Sequence, residues 1–350
     1  MIVQTHFPQK LSSKRYDQFL ASGWFRGSVM LYKMDVLCLE SDIYSVVNIR
    51  LNLEKHVLKR SLKKIKRRGL DAFKVTIGPV HISAEKERLY ALQKPKFQGF
   101  IHNTLYDFLY SGFRFSVFDT QEVCVYKDDE LVACSYFDLG EKSMASLLGI
   151  YDPDYSSYSL GIFTMLMELQ YGKDNGYKWY YPGYILNEDK GFEYKLRLGN
   201  YEYYNSKKRW AAFSKFDQTE VMAHHVKLRN SELEEALHSK SITFRKWTYP
   251  YFGIGYMHVW DMNFMRLPMV YELASDEDKR LFLGLDLDHK RFKLMWCEHA
   301  KGQEHMVNMA LSDGMKKNEH VLLKLYKQLD LVMESEQIMD IADYLSNDGA

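Results

Sequence analysis

Cysteine is scarce in this chain, and the little there is stands apart. Cys38, Cys124, Cys134 and Cys297 form no CxxC pair and no Cys–His cluster at metal-ligand spacing. That argues against a structural zinc and against a disulfide framework, and no metal site is expected. No stretch approaches the roughly 20 apolar residues of a membrane span. The first 30 residues lack the charged, apolar, small-residue order of a signal peptide. A cytoplasmic protein that engages no membrane is the expectation. There is no P-loop, no Gly-x-Ser-x-Gly and no HExxH, and Gly253-Ile-Gly255 is too short for a dinucleotide fingerprint. The neighbouring histidines His224 and His225 carry no ligand pattern and read as a surface pair. Internal repeats and long low-complexity segments are missing as well.

What is present is an ordinary globular composition with an uneven charge. The chain has 350 residues, 46% of them hydrophobic, enough for a full core and more than one domain. Its net charge is only +1, yet residues 1–100 hold 19 Lys and Arg against 8 Asp and Glu, and the remainder is acidic. An anionic partner for the first third follows from that imbalance. The 26 tyrosines are as suited to filling half-buried sheets as to stacking on bases.

Periodicity places the elements. A short helix is expected over 13–21, strands over 28–32 and 44–51, and an amphipathic helix over 54–68. In that helix Val57, Leu58, Leu62 and Ile65 form the apolar side. Lys59, Arg60, Lys63, Lys64, Lys66, Arg67 and Arg68 cover most of the rest, with no acid between Lys55 and Arg68. Such a face matches a phosphate backbone, though a merely solvated face has the same pattern. A strand over 75–80, a helix over 84–92 and a Pro- and Gly-bearing linker over 94–99 follow. Next come a helix at 104–110, a hairpin of 121–126 and 131–139, a strand at 143–151, a helix at 160–172 and a strand at 179–185. This is the order of an acetyltransferase-like (GNAT-type) α/β (α+β) core, a mixed sheet flanked by helices. Beyond Phe216 the pattern changes: a helix over 220–239, an aromatic strand-like stretch over 247–273, strands over 280–299 and a helical segment over 320–345. The expected division is a basic N-terminal α+β region at 1–95, a GNAT-like transfer domain at 96–215 and a C-terminal extension at 216–350.

The segment Leu148 to Ile162 reads as strand, tight loop and helix start, a geometry that aims backbone N–H groups at an anion, a ribose or a developing oxyanion. Pro153 fixes the loop, Ser156, Ser157 and Ser159 offer hydroxyls, and Gly161 allows close approach. One glycine suits a coenzyme A cradle poorly and a nucleotide end better; a serine turn that only caps the helix is the bland alternative.

These residues resemble a family. Tyr151-Asp-Pro-Asp-Tyr-Ser-Ser-Tyr-Ser-Leu-Gly161, Tyr180-Tyr-Pro-Gly-Tyr-Ile185, Phe192-Glu-Tyr-Lys195 and Trp210 are similar to the C-terminal half of arginyl-tRNA–protein transferases and their bacterial leucyl-transferring relatives. Tyr16-Asp-Gln-Phe-Leu-Ala-Ser-Gly-Trp-Phe-Arg26, Ile49-Arg50, Lys59-Arg-Ser61 and Arg67-Arg68 resemble the N-terminal half, so the likeness spans about residues 7–215. The cysteine cluster usual in that half is reduced here to Cys38, and metal or redox regulation does not carry over.

The resemblance implies transfer of an amino acid, Arg or Leu, from charged tRNA to the N-terminal amine of proteins beginning with Asp or Glu, marking them for degradation. It implies no cofactor, charged tRNA being a co-substrate. An aminoacyl ester is already activated, so positioning, oxyanion donors and a cation for the acidic side chain suffice. The implied cradle is Asp152, Ser157, Ser159, Leu160 and Gly161. Tyr151, Tyr181 and Tyr184 orient the ester or relay a proton, with Asp152 a possible proton acceptor. Arg50, Lys195 and Arg26 are candidates for the acidic N-terminus, and Lys59, Arg60, Lys63, Lys64, Arg67 and Arg68 for the tRNA. Two other functions compete: an acetyltransferase using acetyl-coenzyme A, and a tRNA-binding module without chemistry.

Overall fold

A computed structural model describes residues 1–188, 191–257, 262–303 and 310–347. The long strand Asp42–Asn52 alternates buried and open positions, the period of a strand with one face on a core. It organises a ten-stranded sheet. Along one direction it pairs with Trp179–Tyr181, and the sheet continues through Ser143–Tyr151, Glu130–Leu139, Asp119–Lys127 and Lys74–Pro79. Along the other it pairs with Glu202–Tyr204 and Trp210–Ala212, so both sides of the linker at 94–99 contribute to one sheet. Ser143–Tyr151 and Trp179–Tyr181 run parallel, joined by the crossover helix Leu160–Asp174. The meander, crossover helix and parallel strand are the α/β order expected of a GNAT-type core.

The crossover helix is buried almost all round, with Phe163, Leu166, Met167 and Leu169 in the core of the sheet. Its outer side receives the basic helix Arg60–Ala72, where Gly69 brings the two backbones together: a Cβ there would stand 2.3 Å from Phe163 Cε2. The basic helix begins later than its sequence suggests. The Asn52 side chain accepts from the Lys55 amide at 3.1 Å, and His56 Nε2 meets the Leu198 carbonyl at 2.7 Å, which hold residues 53–56 outside the helix. Val57 is left exposed, Lys59 is the N-cap, and the helix runs on to Ala72.

The strand expected over 179–185 is two strands, Trp179–Tyr181 and Tyr184–Leu186. Pro182 cannot donate to a ladder and Gly183 sits at φ 88°, so the chain turns between them. Tyr184–Leu186 then pairs with Val46–Asn48.

The extension folds as the helix Met222–Ser239 and a five-stranded antiparallel sheet, with the helix Ile338–Asn347 beside them. Its core is continuous with Ile2, Val3, Val36, Cys38 and Ile43 from the N-terminal strands. Two expectations fail here. The stretch 320–345 is a strand, Tyr326–Ser335, before the final helix, because its residues complete the edge beside Arg291–His299. The stretch 247–273 is a short strand to Thr248, a 3-10 segment Pro250–Tyr256 and a strand from Met269, while 258–261 lie outside the described residues. No helix among the described residues is long and apolar enough to cross a membrane.

Candidate active site

The parallel pair closes for three residues and then opens. Ser143, Met144 and Ala145 lie opposite Trp179, Tyr180 and Tyr181, after which Ser143–Tyr151 stays with its antiparallel neighbour, with a bulge at Ser146/Leu148. The other strand leaves at Pro182. Splaying strands cannot satisfy each other's backbone groups, and a cavity of about 740 Å³ fills the gap. Ala145 to Leu148 and Tyr181 to Tyr184 form two of its walls; Trp24, Tyr32, Tyr194 and Lys195 face it as well. Among the described residues that line it there is no Asp and no Glu.

Lys195 and Lys96 both line this cavity, and neither meets an acid among the described residues; Lys96 is exposed and Lys195 is the more enclosed of the two. Its Nζ donates to the Tyr184 carbonyl at 2.9 Å and lies 5.5 Å and 5.2 Å from the ring centres of Tyr184 and Phe192. Burial lowers its ammonium to about 8. No carboxylate pairs with it among the described residues, so its charge is available to a ligand.

Tyr181 and Tyr184 reach the same cavity. The Tyr181 oxygen accepts from Arg50 Nη1 at 3.5 Å. The Tyr184 hydroxyl faces that of Tyr32. Burial raises both phenols and keeps them neutral donors. Asn48, on the long strand, gives its Nδ2 to the Gly23 carbonyl at 2.8 Å, which fixes the amide orientation. Its Oδ1 is buried without a partner, and the residue lines the cavity. Nothing in the sequence marks Asn48, which alternation puts on the open face with Tyr44, Val46 and Arg50 and which is buried there nonetheless.

The other expected cations are already engaged. Arg26 donates to Asp138 and Thr120 at 2.7 Å, and to the carbonyls of Leu109 and Ser28 at 2.6 Å, with its side chain 2% exposed. It ties the strand Phe25–Gly27 to the sheet. Arg50 pairs with Glu202 at 2.7 Å and is packed between the rings of Trp179 and Trp210 at 3.7 and 4.3 Å. Both spend their charge inside the protein.

The serine loop folds as a 3-10 turn, Pro153–Tyr158. Asp152 starts it, accepting from the Asp154 amide and from Arg88 Nη1 at 3.1 Å, and is buried and paired away from the cavity. Tyr151 supports the helix start from below, its ring 3.6 Å from where a Cβ on Gly161 would be. Ser159 is left-handed at φ 58° and caps no amide with its side chain, and Leu160 is buried. Ser157 is exposed, and its carbonyl accepts from Arg68 Nη2 at 2.8 Å. Through that bond the turn and the basic helix share a second cleft of about 540 Å³, lined by Lys64, Arg67, Arg68, Ser157 and Tyr158 among others. Lys59, Arg60 and Lys63 are exposed on the same helix. The expected residues thus fall into two groups: Tyr181, Tyr184 and Lys195 at the cavity, and the serine turn with the basic helix at the cleft.

Residues 79–205 match the model of the arginine-tRNA-protein transferase C terminus. An aspartate/glutamate leucyltransferase of Leptospira interrogans is 28% identical over 194 residues, covering 54% of this chain and 74% of that protein. The enzyme of the same name from Campylobacter jejuni strain 81-176 is 23% identical over 202 residues, covering 55% and 81%. Among solved structures, FemX overlays with a TM-score of 0.34 at 11% identity, covering 53% of this chain and 64% of that one. That likeness is too loose to bear on the fold, which rests on the strand order.

Proposed function

The chain belongs to the aminoacyl-tRNA–protein transferases, and from that premise we propose that it moves a leucyl group from charged tRNA to the α-amine of proteins beginning with Asp or Glu. The observation that carries the choice of amino acid is the lining of the cavity, which holds no acid among the described residues. A guanidinium buried there would lack a counter-charge, at a cost of several kcal/mol, whereas an apolar side chain gains by burial. The same absence favours an acidic acceptor, because Lys195 meets only the Tyr184 carbonyl, and no carboxylate, among the described residues.

In this mechanism the basic cleft and the serine turn hold the tRNA backbone, and the charged end of the acceptor arm enters the cavity. Lys195 binds the acidic side chain of the incoming protein. Asn48 Oδ1 accepts an N–H of its α-amine, whose ordinary pKa of about 7.7 to 8.0 leaves roughly a tenth of it unprotonated at neutral pH. The amine attacks the ester carbonyl, and Tyr181 and Tyr184 donate to the oxyanion. The new C–N bond forms, the ester C–O bond breaks, and the proton lost by the amine ends on the released ribose hydroxyl. Charged tRNA is the only activated species required, with no cofactor. Its use as donor puts the reaction in the cytoplasm, and the modified N-terminus serves as a degradation signal.

The test is transfer of labelled amino acid from Leu-tRNA or Arg-tRNA to peptides beginning with Asp, Glu or Ala. Leucine on the acidic peptides alone is the expected result. Arginine transfer would overturn the choice of amino acid; tRNA binding without transfer to any acceptor would overturn the enzyme; acetyl-coenzyme A turnover would replace it.

A further inference from the structure

The short motif Gly253-Ile-Gly255 has no place in dinucleotide binding, yet its Gly253 and Ile254 line the cavity. The 3-10 segment Pro250–Tyr256 of the extension packs on the N-terminal strands and presents Phe252, Gly253 and Ile254 to the same space that Lys195 faces. The extension also pins the linker beside it. Ala310–Leu311 pairs with Phe100–Ile101, the Ser312 amide donates to the Gly99 carbonyl at 2.8 Å, and Phe100 rests on Tyr251 at 5.7 Å. The matched family region ends at residue 205, so this wall is supplied from outside it.

The two glycines differ. A Cβ on Gly255 would stand 2.7 Å from Arg266 Cγ and from the Phe264 carbonyl, so that glycine serves close packing. A Cβ on Gly253 would meet nothing within 4 Å, and its backbone is not left-handed. Neither packing nor torsion demands glycine at 253; what its bare Cα leaves is room. The wall around it, with Phe252, Ile254 and Met257, is apolar.

We propose that the segment Pro250–Tyr256 closes the aminoacyl side-chain subsite and that Gly253 is its specificity-determining position, sized for a branched apolar side chain. This rests on the leucyl-transfer reading above. A larger residue at 253 fills the subsite and excludes leucine while leaving space for a smaller side chain, since one or two methylenes in an apolar pocket change affinity about tenfold or more.

The experiment measures binding of the leucyl and alanyl amides of 3'-amino-3'-deoxyadenosine to the full chain and to Gly253→Leu, with Gly78→Leu as control. Gly78 also has open space at its Cβ, but on the edge strand Lys74–Pro79. Gly253→Leu is expected to lose about tenfold or more for the leucyl amide and less than about threefold for the alanyl amide, with Gly78→Leu unchanged. Equal loss for both amides, no loss, or no binding of the leucyl amide by the unaltered chain would overturn the proposal. Should the amides behave as expected while Leu-tRNA yields no modified peptide, the subsite stands and the transferase reading fails.

Discussion

Lys195 donates through its Nζ to the main-chain carbonyl of Tyr184 at 2.9 Å, so the cation and the phenol that face the cavity are held by one short contact. A Cβ on Gly183 would lie 3.4 Å from that Nζ, in ordinary contact with it. Lys195→Met removes the charge without removing the stem. It is expected to slow transfer to Asp-peptides by about tenfold to a hundredfold, the worth of a hydrogen bond to a charged group. Leucyl-amide binding should stay within about threefold of the unaltered chain, which separates the acceptor side from the donor side. Steady-state kinetics with a varied acceptor would show the loss.

The pH profile carries the signature of the same residue. Burial lowers the Lys195 ammonium to about 8, so the charge that reads the acceptor is present below that pH and lost above it. The α-amine becomes nucleophilic as pH rises toward its own pKa of about 7.7 to 8.0. Acceptor kcat/KM is therefore expected to peak near the pH where the two values meet, about 8, and to fall on either side. Lys195→Arg keeps its charge to a far higher pH and is expected to lift the alkaline limb.

Glu168 gives a stability prediction independent of function. It is fully buried on the crossover helix, accepts from the Tyr180 hydroxyl at 2.7 Å, and burial raises its carboxyl to about 7. Between the ordinary value of 4.5 and about 7 the folded chain binds this proton more tightly than the unfolded chain does. Stability falls as pH rises through that window, by on the order of 3 kcal/mol. Glu168→Gln keeps an acceptor for Tyr180 and is expected to flatten this dependence, which denaturant melts at pH 5 and pH 8 would reveal.

The two helices behind the cleft meet at Gly69 and Phe163. Gly69→Ala puts a Cβ 2.3 Å from Phe163 Cε2 and is expected to cost about 1–3 kcal/mol, read in the same melts.

On the surface of that pair, Lys64 and Arg67 line the cleft beside Ser157. Replacing both by Ala should make the dependence of log K for tRNA on log salt shallower by about 1.5, since each neutralised phosphate contributes about 0.7 to 0.9. An unchanged slope would show that these side chains touch no phosphate.

The order of the core elements was legible because each has a clean period: the hairpin at 119–139, the strand to Tyr151 and the helix from Leu160 stand close to where alternation and helical spacing put them. The break at Pro182-Gly183 was written in the sequence too, yet read as part of a strand, because flanking tyrosines mask a turn whose role appears only when strands splay. Lys195 was within reach through its motif. Arg26 and Arg50 could not be told from it, since what distinguishes them is the carboxylate that each meets, Asp138 and Glu202, both distant in sequence. Asn48 and the wall at Gly253 were illegible for the same reason. An unpartnered amide oxygen and an empty Cβ direction are properties of assembled space.

The most direct measurement compares two acceptor peptides that differ only in their first residue, Asp or its uncharged isostere Asn, in transfer from Leu-tRNA by the full chain. A cavity whose described lining has Lys195 and no acid predicts that the Asp peptide is preferred in kcat/KM by about tenfold to a hundredfold. Equal rates on the two peptides would contradict it.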